Sequence, residues 1–542
     1  MPKILKKSTE TKSVNSLYAR RFFSGTLLSR ISGMVRDLTM AFAFGDHPSV
    51  AAFMVAFRLS NLFRRLLGEG PFQSAFIPHF EGLRVQDPAK ANFFFRKLSL
   101  LIVLLLVAMT IFVEGGIAAL LSWGSISESN REIVMLTGWL FPAILFICLY
   151  GVNISLLNCY DSFFIPSIAP IVCNSAWIGA AFFLRNKEPS MAMPTLAKWI
   201  VVGFVGQWLL TLPLTLKYAA AEWKEWFRFH IPKEVKDLAK AFALGAIGVG
   251  AMQINAFVDV LFARYADIRG PAYLWYSIRL EQLALAIFGI ACVSTIVPRL
   301  SRAIKSNDMP QAQELFSLSA KRILAVMIPC TFAIVALGTA AVNLIYGRGH
   351  FTELAIGKTT ACLWAYGLGL VPTTLVILFS AIFYAQNNFR KPMSISLVTV
   401  VVNIILNAIF VFGFKMGSIS TALATSLSAF INCWVLYRML EKMGWKPEGS
   451  TARIFKICCA GCFAFLCAFI VDYFLPSPAV LAPLMNGDLN LPRTITAQLM
   501  TFVLQFVAFS TALIFSAYVF RCSDLIELLQ DFVFRKKSIE AE

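Results

Sequence analysis

Seven uncharged stretches of 22 to 31 residues constrain the fold of this chain more than any other feature. They cover residues 133–160, 162–184, 323–347, 359–389, 392–414, 416–437 and 494–520. About 20 apolar residues span a bilayer as a helix, and in hydrocarbon a helix satisfies its own backbone hydrogen bonds. The stretches do not alternate in polarity as the strands of a membrane barrel do. The sequence therefore predicts an all-α polytopic membrane protein.

The composition excludes a soluble protein of this length. Only 14% of the 542 residues are charged and 58% are hydrophobic, whereas soluble domains carry about 25% charged residues. Shorter apolar stretches raise the prediction to about fourteen transmembrane helices, of which the first two are polar for spans. Their centres lie near residues 35, 60, 108, 145, 173, 207, 250, 286, 334, 370, 402, 428, 464 and 508.

The distribution of basic residues predicts the orientation of the chain. With a cytoplasmic N-terminus, 32 of the 48 Lys and Arg residues fall in cytoplasmic loops and termini and 10 in external loops, as the positive-inside rule requires. We therefore expect a multi-pass protein with both termini in the cytoplasm. The net charge of +18 then indicates contact with anionic phospholipids and not with nucleic acid.

An internal repeat divides the chain into two halves. The segment 58–62 (RLSNL) resembles 279–283 (RLEQL), and 74–78 (SAFIP) resembles 294–298 (STIVP). Six predicted helices separate the copies, so both have the same orientation, related by a pseudo-two-fold axis along the membrane normal. This is typical of alternating-access transporters that bind their substrate between the halves. The alternative is chance similarity between apolar segments.

The repeat predicts the following organisation of the chain. It comprises a cytoplasmic N-terminal tail (1–21), an N-lobe of helices 1–6 (22–220), an amphipathic cytoplasmic connector (221–240), a C-lobe of helices 7–12 (241–440), helices 13–14 (450–521) and a cytoplasmic tail (522–542).

Arginines inside the predicted spans carry the functional argument. Six are present, and each costs about 3 kcal/mol at the bilayer centre, so we expect them to have a use. A planar guanidinium suits bidentate binding of phosphate oxygens. Polar residues accompany them on the first two helices, and no carboxylate lies in obvious local reach of most of them. The residues predict a water-filled basic cavity that holds a phosphate-bearing ligand, formed by Arg30, Arg36, Arg64 and Arg279 with Ser29, Asn61 and Glu69.

The alternative for these arginines is structural. They would snorkel at helix ends or form ion pairs between helices, with Asp37, Glu69, Asp259 and Glu281 as the available carboxylates.

A second polar set lies in the C-lobe. Asn403 and Asn407 share a helix face at a spacing of four residues, Thr425 lies on the next helix, and Asp259 lies on helix 7. Their oxygen atoms would hold Na⁺ or relay a proton, and the ion would then drive transport. The alternative source of energy for transport is the membrane potential. Such residues also join helices by hydrogen bonds. We expect no other cofactor or metal. The sequence contains no Walker A motif and no evident nucleophile–base pair, so we do not expect an ATPase or another enzyme.

Several motifs resemble the MurJ/MviN family over residues 25 to 440. They are SRISGMVRD (29–37), FMVAFRLSNLFRR (53–65), EGPF (69–72), AFIP (75–78), WYSIRL (275–280) and ALATSLSA (422–429). The sequence departs from the family's common pattern at Ala51, Ser60 and Ile278, which replace an Asp, a Pro and an Asp.

The resemblance implies a flippase for lipid II, the undecaprenyl-pyrophosphate-linked peptidoglycan precursor of cell-wall biogenesis, in the bacterial inner membrane. It implies the fold of the multidrug/oligosaccharidyl-lipid/polysaccharide exporter superfamily. The arginines that this family requires fall on Arg30, Arg36, Arg64 and Arg279, and its signature glutamate on Glu69. Helices 13 and 14 would line a groove for the polyprenyl tail. Cell-wall synthesis enzymes are implied as further partners.

Three other functions remain open at this stage. One is a flippase for another lipid-linked oligosaccharide, and another is a cation-coupled exporter, which should place carboxylates where this chain places arginines. The third is a membrane scaffold that organises cell-wall synthesis enzymes.

Overall fold

The computed structural model describes residues 24–65, 70–123, 126–219, 233–446, 451–475, 491–528 and 530, and all regular elements in these ranges are helical. The chain divides into two compact units, Met1–Phe257 (unit 1) and Val258–Glu542 (unit 2). The predicted N-terminal tail, most of the connector 221–240 and Glu69 lie outside the described residues.

Unit 1 contains the helices that the first apolar stretches predict. They are α1 (24–44), α2 (Pro48–Phe63), α3 (Pro71–Gln86), α4 (Pro88–Ser122), α5 (Glu128–Leu140), α6 (Ala143–Cys159), α7 (Phe164–Ile168), α8 (Pro170–Leu184) and α9 (Pro189–Tyr218). The long helix α10 (Lys233–Ala266) crosses the boundary between the units.

Unit 2 continues with helices of similar length. They are α11 (Gly270–Ala284), α12 (Ala291–Lys305), α13 (Met309–Tyr346), α14 (Glu353–Leu368), α15 (Leu370–Ala385), α16 (Arg390–Ala408), α17 (Ile419–Lys442), α18 (Thr451–Tyr473) and α19 (Ile495–Val519). Two π-helical segments, Leu285–Ile290 and Ile409–Gly413, follow α11 and α16 without a break.

The structure extends the internal repeat beyond the two sequence motifs. Helix α3 contains Pro78 and α12 contains Pro298, as the alignment of the motifs requires. The next helix in each unit, α4 or α13, begins with an aspartate cap. Asp87 accepts a hydrogen bond from the Ala89 amide at 2.9 Å, and Asp308 accepts one from the Gln311 amide at 3.1 Å. A side-chain acceptor at this position satisfies amides that the helix leaves unpaired, so both copies start this helix in the same way.

An aromatic cluster holds α3 against α4 in unit 1. Phe76 is buried and lies 5.3 Å from Phe80 and 6.1 Å from Phe94, measured between ring centroids. Within a membrane, such close packing replaces the hydrophobic effect as the force that joins helices. The sequence analysis did not predict α3, because its apolar face is a row of phenylalanines and not an uninterrupted apolar stretch.

Helix α13 organises unit 2. One face packs with α12 and α15 around the buried Phe316, whose ring meets Trp445 edge-on at 5.7 Å. The other face packs against α18 and α19 through small residues, including Ala325 and Ala460. Small side chains let helix backbones approach closely in membranes. Helices α18 and α19 are therefore attached to unit 2 by direct packing.

The described helices confirm a multi-span membrane protein. The described residues contain ten spans that are long and apolar enough to cross a bilayer, or eleven if the pair α5 and α6, bent by 42°, forms one span. Three of the ten join two consecutive helices: α7 with α8, α11 with α12, and α14 with α15. Large apolar side chains face outward, as lipid contact requires: Phe112 is 82% and Phe183 83% exposed. Each predicted centre falls within a described helix, but α1, α2 and α10 are not among the ten. The number fourteen thus stays a prediction.

Candidate functional site

Arg36 on α1 is held in one orientation by its neighbours. Its Nε and Nη2 donate to Oδ1 of Asp37 at 3.0 and 2.9 Å, and its Nη1 donates to Oδ1 of Asn174 on α8 at 3.1 Å. The Asn174 amide in turn donates to Oγ of Ser32 at 2.8 Å. The Arg36 side chain is 15% exposed, so it is enclosed but still accessible.

An aromatic wall supports the same guanidinium. Its Cζ lies 4.8 Å from the centre of the Trp177 ring, and Trp177 meets the edges of Phe53 and Phe57 on α2. Since a guanidinium has five N–H donors and three are engaged here, two remain for a ligand. A fixed donor pair of this kind suits an oxyanion, because no entropy is lost in orienting it.

Glycines allow α1 to approach the helices that carry these partners. A Cβ on Gly25 would lie 2.0 Å from Oγ of Ser167, and one on Gly33 would lie 3.9 Å from the Asn174 amide. A larger residue at Gly25 would push α1 away from α7 and α8. The position of Arg36 therefore depends on this contact.

The structure corrects one expectation about Arg36. The sequence analysis found no carboxylate in its local reach, but Asp37 pairs with it. Adjacent residues point away from each other on a helix, which is why the spacing rule missed the pair. The arginine side chain is long enough to turn back to its neighbour.

The other predicted residues of unit 1 lie on α1, on α2 or directly after α2, in different environments. Arg30 is exposed and Ser29 is half-buried on α1, whereas Asn61 on α2 donates to the backbone oxygen of Phe57 at 3.0 Å. Arg64, which directly follows α2, is exposed.

Arg279 belongs to unit 2. It is half-buried on α11, and its guanidinium lies over the Trp275 ring at 4.5 Å. Both Arg36 and Arg279 thus rest on a tryptophan face, a contact that favours a cation by about 0.5–2 kcal/mol. The sequence predicted neither tryptophan as part of the site, although Trp275 precedes Arg279 by one helical turn.

The second predicted set assembles completely in unit 2. Asp259 on α10 accepts hydrogen bonds at Oδ1 from Asn403 at 2.8 Å and Asn407 at 2.7 Å, both on α16. Its Oδ2 accepts a longer one from Thr425 on α17 at 3.4 Å. Asp259, Asn403 and Asn407 are buried, and Oδ1 of Asn407 has no hydrogen-bond donor among the described residues. Three helices therefore converge on one carboxylate with an amide oxygen to spare.

The two units treat equivalent aspartates differently. The segment RDL (36–38) has a loose counterpart in VDV (258–260), and this pairing matches Asp37 with Asp259 and Arg36 with Val258. In unit 1 a guanidinium lies between the carboxylate and Asn174, whereas in unit 2 the asparagines bond the carboxylate directly. A buried carboxylate is stabilised by a positive charge. In unit 1 this charge comes from Arg36. The matching residue of unit 2, Val258, has none.

The sequence analysis missed two buried cations. Arg96 and Lys97 on α4 are 5% and 3% exposed, and Arg96 donates through Nη1 to the backbone oxygen of Ala219, beyond the end of α9, at 3.1 Å. They were counted as loop residues because basic residues concentrate at cytoplasmic helix ends. The two preceding phenylalanines, Phe94 and Phe95, are the sequence feature that could have indicated a buried position for both cations. Since Arg96 binds a helix-end carbonyl, its role is structural.

Known proteins match the chain over most of its length. Residues 40–477 match the family described as lipid II flippase MurJ. A probable lipid II flippase MurJ of Chlamydia trachomatis is 34% identical and aligns over 83% of both chains. Another of Chlamydia pneumoniae is 29% identical over 96% of this chain and 95% of its own.

Solved structures confirm the predicted superfamily fold. A lipid II flippase MurJ in an inward closed conformation superposes with a TM-score of 0.72, at 25% identity, over 93% of this chain and 99% of its own. A multidrug resistance MATE transporter of the MOP superfamily has a TM-score of 0.60 over 80% of this chain and 100% of its own, and at 15% identity it shares the fold alone. With the family match covering most of the sequence, the chain belongs to the MurJ family of lipid II flippases.

Proposed function

We propose that the protein moves lipid II from the cytoplasmic to the outer leaflet of the bacterial inner membrane. The protein is a multi-span transporter and not an enzyme. The observation that carries the proposal is the Arg36 guanidinium, fixed by Asp37, Asn174 and Trp177 on a transmembrane unit. Because Asp37 neutralises Arg36, the excess positive charge for a diphosphate comes from Arg30 and Arg64.

The transport cycle needs binding and release, and no covalent step. The diphosphate binds to the arginines while the substrate enters from the cytoplasmic leaflet, and alternating access exposes it to the other side. An inside-negative potential favours outward movement of an anionic headgroup by about 2.3 kcal/mol per charge per 100 mV. We also propose a role in transport for Arg279 on α11 of unit 2.

The polyprenyl tail requires an apolar surface, and α18 and α19 offer one. Phe455 and Phe515 on these helices are 70% and 61% exposed, and Leu466 is 48% exposed. These side chains support a tail groove on the last two helices. Anionic phospholipids and cell-wall synthesis enzymes are further proposed partners of the basic loops, with both termini in the cytoplasm.

The Asp259 cluster supports coupling to a cation. A carboxylate, amide oxygens and a hydroxyl are the hard ligands that Na⁺ and similar ions prefer. Asp259, Asn403, Asn407 and Thr425 would hold the ion. The alternatives are that the same cluster takes a proton or serves only to join helices, and a comparison of sodium with choline separates sodium binding from both.

The first experiment tests the arginines in transport. Purified protein in liposomes should translocate labelled lipid II, and Arg30→Ala or Arg36→Ala should slow it at least about ten-fold, because charged hydrogen bonds contribute about 1.5–3 kcal/mol. Arg438→Ala is the matched control, since Arg438 is largely exposed, pairs with Glu441 at 3.0 Å and lies over the Trp434 ring at 5.8 Å.

Two results would contradict this proposal. One is translocation by Arg30→Ala and Arg36→Ala at the rate of Arg438→Ala. The other is a preference for a competing lipid-linked oligosaccharide over lipid II in the same liposomes, which would favour the alternative flippase.

The second experiment tests the cation. Sodium should raise the melting temperature of the purified protein relative to choline at equal ionic strength, because an ion that binds only the folded state stabilises it. Asp259→Asn should abolish the difference. Asp472→Asn, which alters another buried carboxylate of unit 2 bonded to Gln505, should retain it. Equal sodium shifts in both variants would contradict sodium binding at the Asp259 cluster.

A further inference from the structure

A basic cleft lies at the turn between α13 and α14, in unit 2 and remote in sequence from Arg36. The turn 347–352 and Arg493, which precedes α19, enclose about 550 Å³. Three nitrogen-bearing side chains line it: Arg348, His350 and Arg493. The proposed translocation does not use any of them.

Buried amides fix the frame of the cleft. Gln498 on α19 is 1% exposed, and its Nε2 lies 3.1 Å from Oδ1 of Asn343, from the Gly347 oxygen and from the Pro492 oxygen. Asn343 also donates to the Pro492 oxygen at 3.1 Å. These bonds tie the 347–352 turn to the segment before α19. The walls of the cleft are therefore held together without a ligand.

The turn itself requires glycine at its first position. A Cβ on Gly347 would lie 2.0 Å from Oδ1 and 2.5 Å from the backbone oxygen of Asn343. No side chain fits there, and the close approach sets the direction in which Arg348 leaves α13. The position of this arginine is thus built into the backbone.

The cleft has donors left over and an excess of positive charge. Arg493 donates to the Phe351 oxygen at 3.0 Å and to Glu353 at 3.3 Å, and Arg348 donates to the Leu344 oxygen. Each guanidinium has five N–H donors, so most remain available. Glu353 pairs with Arg493, so the two arginines still carry more charge than this carboxylate neutralises.

We propose that this cleft binds a phosphate-class oxyanion. Two guanidinium groups that line one open cleft suit an oxyanion that accepts several charged hydrogen bonds, such as a phosphate or a diphosphate. On the predicted topology the cleft faces the outside. The anion is then either a diphosphate that has crossed the membrane or the phosphodiester of a phospholipid headgroup. Only this choice of source rests on the proposed function.

Inorganic pyrophosphate is the probe, titrated by calorimetry into the full-length protein in neutral detergent. Arg348→Gln should weaken pyrophosphate binding at this site at least ten-fold. Arg348→Lys should weaken it less, because lysine keeps the positive charge although it cannot bind bidentately. Arg131→Gln is the matched control, an exposed arginine in unit 1 that the same topology places outside. Arg36→Ala removes the separate class of binding expected in unit 1.

The outcomes separate the site, its source and the transport proposal. Identical pyrophosphate binding by Arg348→Gln and Arg131→Gln would overturn the inference. If phosphatidylglycerol in nanodiscs displaces pyrophosphate in an Arg348-dependent way, the anion is a lipid headgroup, and if it does not, the anion is a diphosphate. Arg348-dependent binding that persists in a protein unable to flip lipid II would support the cleft and reject only the proposed function. Arg493→Gln also removes the hydrogen bond to the Phe351 oxygen. Its pyrophosphate affinity is therefore compared only after its melting temperature shows that the protein is folded.

Discussion

At the scale of single residues, the orientation of Arg36 matters as much as its charge. A lysine would provide the same charge, but it could not bond Asp37 and Asn174 at once while lying flat on Trp177. Asn174 on α8 is the positioning residue. It accepts a hydrogen bond from the Arg36 guanidinium and donates one to Ser32, which lies on α1 with Arg36. We expect its loss to affect transport more than stability.

Replacing Asn174 tests this positioning role. Asn174→Ala should lower stability by about 1 kcal/mol, the usual effect of a lost buried hydrogen bond, and should reduce lipid II translocation several-fold. Asn153→Ala is matched to it, because Asn153 is similarly buried in unit 1 and bonds Thr211 at 3.0 Å. That variant should lose similar stability but little transport per folded molecule. Equal losses of transport, measured by flipping assays and melting curves, would reduce Asn174 to a structural contact.

The sequence predicted these residues unevenly, for a physical reason. Asn403 and Asn407 were found because helical spacing alone places them on one face, and Asp259 could be paired with them as the acidic residue of helix 7. The bond between Arg36 and Asp37 could not be found in the same way. It depends on how a long side chain bends, which spacing does not determine.

At the scale of elements, the π-helical segments lie beside candidate functional residues. One begins two residues after Asn407, and the other begins six residues after Arg279. A π-helical turn widens the helix by one residue and is frequent at functional sites. The apolar stretches predicted the helices themselves, since lipid enforces helical hydrogen bonding, but composition does not indicate where a turn widens.

Glycines in the two π-helical segments give a matched prediction. A Cβ on Gly289 would lie 2.8 Å from Oγ1 of the buried Thr374, which is itself bonded to the Leu370 oxygen. Gly289→Ala should therefore destabilise the protein by about 1–3 kcal/mol, as overpacking does. Gly413→Ala meets nothing within 4 Å and should be neutral or stabilising.

Melting temperatures of the purified variants check this prediction. The double variant Gly289→Ala with Thr374→Ala should recover part of the loss, because it removes the atoms that the new methyl group meets. A loss in Gly413→Ala as large as in Gly289→Ala would instead indicate that any side chain disturbs a π-helical turn.

At the scale of the whole molecule, the repeat predicted the two-unit character of the chain, and the structure adds aspartate caps to the evidence for it. The boundary between the units falls after Phe257, inside α10, so the predicted lobe limits at 220 and 241 remain predictions. The attachment of the last two helices to α13 could not be predicted. It depends on small residues such as Ala325 and Ala460, which any apolar span contains.

The difference between Arg36 and Val258 has a consequence for the energetics of the two duplicated halves. One copy has its counter-charge covalently attached, so its polar centre has the same composition in every buffer. If the proposed cation binds at Asp259, the charge of the other polar centre depends on the salt in the surrounding solution. The two halves would then differ in how strongly their stability responds to the ions present.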